Sequence, residues 1–104
     1  MTHNVIYVTT KDKAEAEKIG RFLVESRLVA CVNIIDKMQA IYRWEGEIKQ
    51  ATEAILIAKT KETLVPELIE TVKSIHSYSC PCIVSLPILD GNDEYLEWIA
   101  SETK

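Results

Sequence analysis

One short segment of the chain gathers most of the side chains that can do chemistry. Residues 76–82, H-S-Y-S-C-P-C, contain one imidazole, one phenol and two thiols. Imidazole and thiolate groups bind transition metals, and residues two apart in an extended chain face the same side, so Cys80 and Cys82 can reach one soft ion. A largely apolar run, residues 83–88, follows directly. The segment is therefore either a metal or thiol site or only the entry to a buried strand, with its cysteines acting as small hydrophobic residues.

Length and charge narrow the classes of function. The 104 residues, of which 47% are hydrophobic, are enough for one core and predict a single domain over residues 1–104. The formal net charge of −4 disfavours nucleic acid as a partner, because a polyanion would be repelled. No apolar run reaches the roughly 20 residues needed to cross a bilayer, so we expect no membrane contact. The three cysteines cannot all pair within one chain, and we expect a cytoplasmic protein with free thiols.

Runs of β-branched and apolar residues alternate with stretches of helical periodicity. The predicted elements are a strand at 4–10, a helix at 12–27, strands at 28–44 and 47–59, a helix at 61–75, a strand at 82–88 and a short helix after 92. This order is β-α-β-β-α-β with one added helix. It predicts an α+β fold, the ferredoxin-like βαββαβ sandwich with an additional C-terminal helix.

Capping residues predict where the helices begin. Asp12 opens a capping-box pattern for the first helix, and Asn92 is placed to cap the last one. For the second helix either Thr60 or Thr63 can act as the cap. Pro66 favours the later start, because proline is tolerated in the first turn and disrupts a helix further in.

The second and third strands predict a long hairpin. Asp36-Lys37 interrupts the second strand with two polar residues, which predicts a bulge, and Glu45-Gly46 supplies the tight turn. A long strand at a sheet edge leaves backbone donors and acceptors unpaired. We therefore expect the hairpin to extend past the sheet and to pair with a neighbouring subunit.

Other functions of the same fold need residues that this chain lacks. An RNA-recognition module needs aromatic residues on its central strands, and the strand at 47–59 has none. A copper chaperone needs C-x-x-C in the first loop and an acylphosphatase needs an arginine there, but that loop reads V-T-T-K-D-K. His3 is expected in a frayed terminus, which leaves His76 as the one plausible general base and no nucleophile beside it. We expect no enzymatic activity and no catalytic residue.

Three segments together resemble one family. They are L-V-A-C-V-N-I at 28–34, Y-R-W-E-G-E-I at 42–48, and H-S-Y-S-C-P-C-I at 76–83 with G-N-D-E-Y-L-E-W-I after it. Over nearly the whole chain the sequence resembles the CutA family of divalent-cation tolerance proteins. The resemblance implies a ferredoxin-like fold, a homotrimer similar in plan to the PII proteins, a cytoplasmic location and a role in tolerance to copper and other divalent metals. The family has no established enzymatic activity.

The resemblance also implies a cleft between subunits. Its residues here would be Trp44, Lys59, Tyr78 and Trp98, with Ser79 at a position that is often acidic or an amide in relatives. A cation bound in that cleft would therefore have one ligand or counter-charge fewer in this chain than in those relatives. The ligand implied is a metal ion or a small effector.

For copper, the family's ligand pattern matches this chain only at His76. Val8 and Ile75 occupy the other matching positions and offer no donor. Tight copper or zinc binding usually takes three or four donors, so we expect at most a weak site centred on His76, which an exposed Cys80 can join. Cys82 is expected to face inward with the buried side of its strand. Copper or another divalent metal is the implied ligand, and none is expected to be required for folding.

Each candidate also has a purely structural interpretation. Cys31 lies in an apolar strand and is expected to be a buried core thiol. Trp44 and Trp98 are typical of packing or interface residues. Lys59 is expected to be a solvated charge unless the cleft exists. For Tyr78, a place at the edge of the core and a place in the cleft are equally expected.

Two other functions stay open beside the CutA-type interpretation. One is a PII-like signalling module that senses a nucleotide or metabolite, for which the two-residue turn Glu45-Gly46 is too short to be the long loop required. The other is a purely structural assembly or anchoring subunit, which would bind no specific small ligand.

Overall fold

Period-two apolar patterns build an antiparallel sheet. Within residues 2–104, which the computed structural model describes, four strands lie in the order β2-β3-β1-β4. They are β1 (His3–Thr10), β2 (Cys31–Trp44), β3 (Glu47–Lys61) and β4 (Ile83–Ile88). Neighbouring strands all pair antiparallel. The predicted ferredoxin-like α+β fold with its extra C-terminal helix is confirmed.

The helices begin at the predicted caps in two cases of three. In the described range they are α1 (Lys13–Glu25), α2 (Val65–Ile75) and α3 (Asp93–Glu102), with a 3₁₀ turn at Glu62–Leu64 before α2. Asp12 and Asn92 accept hydrogen bonds from the backbone N–H groups of Glu15 and Glu94, as expected. Within residues 2–104 no helix is long and apolar enough to span a membrane.

The cap predicted for α2 is wrong. Leu64 stands at that position and makes no side-chain hydrogen bond, while Pro66 lies in the first turn as expected. Thr60 belongs instead to β3, where its buried hydroxyl donates to the carbonyl of Leu28 at 2.6 Å. The 3₁₀ turn leads directly into α2, and no side chain caps the helix at that point.

One face of the sheet carries the hydrophobic core. Buried residues alternate along β1 with half-buried ones, because successive side chains point to opposite faces. The core contains side chains from the sheet, α1 and α2, namely Ile6, Val8, Leu56, Ala58, Ile19, Leu23, Leu68 and Val72. The prediction of a frayed start is wrong for His3, which pairs in register with Lys61 and Ile88.

The hairpin is built as the sequence predicts. The register between β2 and β3 shifts between Ile35 and Met38, so the bulge at residues 36–37 is confirmed, and Lys37 has a φ of 56°. Glu45 and Gly46 turn the chain with φ of 50° and 80°, the positive values that a two-residue hairpin turn needs. Pairing of β3 with β1 ends at Ala54, so residues 38–53 extend past β1 as a two-stranded ribbon.

β2 starts three residues later than predicted. Arg27, with a φ of 61°, ends the turn after α1, and the backbone N–H groups of Leu28 and Val29 both donate to the carbonyl of Leu23. These two residues are buried but belong to no strand, and β2 begins only at Cys31. Apolar character alone did not distinguish this helix end from the strand.

Helix α3 lies on the sheet face opposite the core. Tyr95 of α3 contacts Cys31 and Lys59, and Lys59 faces away from the core because its neighbours Ala58 and Thr60 are fully buried. The rest of that face, here called the open face, carries exposed apolar side chains such as Val84 and Leu86 of β4, which are 47% and 51% exposed.

Candidate functional site

A groove lies where the β2–β3 ribbon meets the connection between α2 and β4. Its volume is about 760 Å³, and its lining includes Trp44, Glu53, Tyr78, Ser79, Cys80 and Cys82. The walls combine aromatic rings with one carboxylate and two thiols. Five of the seven residues of the segment 76–82 therefore line the groove, namely residues 77, 78, 79, 80 and 82.

Tyr78 and Glu53 form the polar contact of this groove. The Tyr78 hydroxyl donates a 2.6 Å hydrogen bond to Oε2 of Glu53, whose residue is only 7% exposed. Burial, and then the hydrogen bond to the Glu53 carboxylate, raise the pKa of Tyr78 well above its usual value of 10. Tyr78 therefore stays a neutral hydrogen-bond donor at physiological pH, and it fixes the carboxylate at the groove wall.

His76 lies behind the groove wall and has no free nitrogen. Its side chain is 0% exposed. Nε2 donates to the carbonyl of Thr9 at 2.8 Å, because a carbonyl can only accept, and Nδ1 accepts the backbone N–H of Tyr78 at 3.0 Å. In this arrangement the imidazole ties the segment to β1, and each of its nitrogens is bonded to a backbone group.

Glu15 holds the same segment from the helix side. Its carboxylate accepts the backbone N–H of Lys11 at 3.0 Å and that of Ser77 at 2.7 Å. Burial raises the pKa of Glu15, but the hydrogen bonds from Lys11 and Ser77 and the nearby His76 outweigh it, so the pKa is lowered from 4.5. In the sequence Glu15 is only the acidic residue of the capping-box pattern that Asp12 opens, and nothing near it in the chain predicts its contact with Ser77.

The remaining cleft candidates lie apart from the groove within one subunit. Lys59 donates to the side-chain oxygen of Asn33, and its Nζ lies 6.0 Å from the centroid of the Tyr95 ring. Trp98 stacks on Tyr95 with ring centroids 5.6 Å apart. Of the five residues predicted for the cleft, the groove therefore contains Trp44, Tyr78 and Ser79, while Lys59 and Trp98 belong to a second cluster around Tyr95.

Cys31 belongs to this second cluster, which corrects its expected place in the core. It is half-buried, and its Sγ lies 3.5 Å from the Tyr95 hydroxyl. The hydrogen bond with Cys31, together with burial, raises the pKa of Tyr95 to about 12. Cys31 pairs with Lys59 in the sheet, so it faces α3 and not the core.

Cys80 and Cys82 are both exposed and both line the groove. This corrects the expectation that Cys82 faces inward. β4 begins one residue later than predicted, at Ile83, and Ile83 packs against the core. Because side chains alternate, Cys82 lies on the open face together with Val84.

The metal ligands expected from sequence do not assemble into a larger donor set. Among residues 2–104 there is no group of three or more His, Cys, Asp or Glu side chains that could hold a metal ion. His76 is buried with both nitrogens bonded, whereas Cys80 is exposed at the groove. The weak site centred on His76 stays a prediction.

Comparison with known proteins gives consistent matches over nearly the whole chain. The profile of the CutA1 divalent ion tolerance protein family matches residues 4–102. The divalent-cation tolerance protein CutA of Thermus thermophilus is 44% identical over 99 residues, which cover 95% of this chain and 96% of that protein. The chloroplastic CutA protein of Arabidopsis thaliana is 38% identical over 100 residues, and the chain spans 55% of its length.

Solved structures agree with these matches. The Thermus thermophilus divalent cation tolerance protein has a TM-score of 0.96 at 43% identity, with 98% of this chain and 99% of that chain covered. CutA1 from Oryza sativa has a TM-score of 0.97 at 38% identity, with 100% and 95% covered. A structure described as the periplasmic CutA of Archaeoglobus fulgidus has a TM-score of 0.95 at 42% identity, with 98% and 99% covered.

Proposed function

The chain belongs to the CutA1 divalent ion tolerance protein family, and from this premise we propose that it is a homotrimer acting in the response to copper and other divalent metals. In this proposal each trimer binds metal ions or a small effector in clefts between its subunits. The groove of one subunit forms one wall of each cleft. No catalytic step is part of the proposed role.

The observation that carries the proposal is the apolar open face beside a protruding ribbon. Val84 and Leu86 on the sheet are about half exposed, and Ile41 and Ile48 on the ribbon are 63% and 67% exposed. Apolar side chains exposed in this way on a sheet face and on a ribbon are typical of protein interfaces. The ribbon also has unpaired backbone edges beyond Ala54, where β1 no longer covers β3. Copies of the same chain can cover both features at once.

The composition of the two clusters supports a cleft completed by a neighbour. The groove offers Trp44 and Tyr78, whereas Lys59 and Trp98 lie in the cluster around Tyr95. If the groove of one subunit faces the Tyr95 cluster of the next, aromatic walls and one cation enclose a common space. Such a site suits a small anion or an aromatic ring.

Two measurements on one set of samples test this proposal. Light scattering should give three times the mass of the chain at micromolar concentration. Thermal-shift screening against divalent metals and small anions then identifies a stabilising ligand. The double variant Tyr78→Ala with Lys59→Ala should keep the trimer and lose that stabilisation, and Lys18→Ala, a change of an exposed lysine on α1, serves as the control. A monomeric mass, or full stabilisation of the double variant, contradicts the proposal.

A role without catalysis is supported by the surroundings of His76. This residue was the one plausible general base, and its ring is buried with both nitrogens bonded to the backbone. An imidazole held in this way has no lone pair directed at a substrate. Hydrolase and transferase substrate panels should give no turnover above that of a His76→Gln variant.

We propose a cytoplasmic location for the protein. The three cysteines, Cys31, Cys80 and Cys82, are free thiols, which is the state that a reducing compartment maintains. Because one similar structure is described as periplasmic, fractionation of cells that express the full chain is the direct test. Recovery with a periplasmic marker contradicts the proposal.

A further inference from the structure

Two thiols meet at the groove with no third donor beside them. Cys80 and Cys82 are both exposed and both line the groove. Within the described residues no third His, Cys, Asp or Glu completes a donor set. Tetrahedral zinc sites take four ligands, or three with a water, so a two-thiol set is poorly matched to a divalent zinc ion. Soft monovalent ions with a filled d shell accept two thiolates in a linear arrangement, and thiolates select them over harder ions.

Cys80 and Cys82 flank Pro81 just before β4, and both line the same groove. Pro81 restricts Cys80 to an extended conformation, and Cys82 leads directly into β4 at Ile83. Residues two apart in an extended chain have Cα atoms about 6.6 Å apart and side chains on the same face. Two metal–sulfur bonds of about 2.3 Å each span about 4.6 Å, a separation that two cysteine side chains on Cα atoms about 6.6 Å apart can reach through their staggered rotamers.

We propose that Cys80 and Cys82 form a two-thiolate site for one soft monovalent ion, Cu(I), at the groove of each subunit. On binding, both S–H groups release their protons to solvent and two Cu–S bonds form, while copper stays in the +1 state. The proposed ion is monovalent, whereas the family's description refers to divalent ions. His76 is not part of the proposed site, because its side chain is buried. The proposal deepens the proposed function, because it assigns the oxidation state of the copper bound at the groove and rests on that groove being the functional surface.

Serine variants separate this site from the third thiol. Cys80→Ser and Cys82→Ser each remove one sulfur at an exposed position, so the fold should be unaffected. Cys31→Ser removes the third thiol, which lies in the Tyr95 cluster, and Lys18→Ala, a change of an exposed residue on α1 outside both clusters, is the control. Under anaerobic conditions the protein competes for Cu(I) with the coloured chelator bicinchoninate. The wild type and Cys31→Ser should each withdraw one equivalent per subunit, and the two groove variants should bind at least tenfold more weakly.

Controls on the same samples make the result decisive. A thiol-labelling reagent should modify Cys80 and Cys82 rapidly in the native wild type, and copper should protect both. Equal loss of binding in Cys31→Ser, retention in either groove variant, or no withdrawal of Cu(I) by the wild type overturns the proposal. Light scattering distinguishes this failure from that of the proposed function, because the trimer mass is independent of the copper count.

Discussion

The hydroxyl of Tyr78 and the carboxylate of Glu53 lie 2.6 Å apart in the wall of the groove, although 25 positions separate them in the chain. This contact anchors the far end of a short segment whose near end is anchored by His76 on the carbonyl of Thr9. Between these anchors Glu15 accepts the backbone N–H of Ser77. The segment is therefore fixed at three points, and the exposed thiols that follow it begin from a rigid position.

Removal of the Tyr78 hydroxyl should destabilise the protein. Tyr78→Phe leaves the largely buried Glu53 carboxylate without its donor, at a cost of about 1.5–3 kcal/mol. Tyr42→Phe is the matched control, because Tyr42 is 44% exposed. Chemical denaturation of both variants gives the difference in unfolding free energy. A double-mutant cycle with Glu53→Gln isolates the pair, and a coupling energy near zero contradicts the assignment.

Acid should weaken the fold partly through Glu15. Because the folded pKa is lowered below 4.5, the stabilisation is fully present above the unfolded value and is lost as the pH falls through the folded one. The unfolding free energy of the wild type should therefore decrease between about pH 5 and pH 3, and Glu15→Gln should show a shallower decrease. At neutral pH this variant should be less stable by about 1–2 kcal/mol.

Glu17 provides the control for this pH profile. It lies on the same helix and is exposed. Glu17→Gln should therefore follow the wild-type curve. If Glu15→Gln also follows that curve, the hydrogen bonds from Lys11 and Ser77 do not contribute to stability in solution.

His76 should behave as a structural residue. His76→Ala removes two hydrogen bonds and leaves the Thr9 carbonyl and the Tyr78 N–H without partners, so a loss of about 2–4 kcal/mol is expected. Ser79→Ala, in the same segment but exposed, should change the unfolding free energy by less than about 0.5 kcal/mol. Weaker copper binding by His76→Ala with unchanged stability would instead make this residue a metal ligand.

The open face should control assembly. Leu86→Glu places a charge on the open face at the edge strand β4. An isolated subunit tolerates it because Leu86 is 51% exposed, but an interface does not. Leu89→Glu makes the same chemical change at a residue that is 89% exposed and follows β4. Light scattering should show dissociation of the first variant and an intact trimer for the second. A trimer in both cases places the interface elsewhere.

Features that depend on neighbouring residues could be predicted from the sequence. The bulge at residues 36–37 follows from two polar residues in an apolar strand, and the turn at Glu45-Gly46 from a glycine that tolerates positive φ. The caps Asp12 and Asn92 act on N–H groups three and two residues away. The order of strands and helices, and with it the fold, follows from the same local periodicities.

The arrangement of the site was decided by tertiary structure. The sequence shows that His76, Tyr78, Cys80 and Cys82 lie close together in the chain. It does not show which of these side chains are exposed to solvent. That depends on the register of β4 against β1, in which Ile83 pairs with Val8 and takes the core-facing position, so that Cys82 faces the groove. A shift of one residue would exchange the two faces, because side chains alternate along a strand. The partners of His76 and Tyr78 lie 67 and 25 residues away, and only the packed chain brings them within hydrogen-bonding distance.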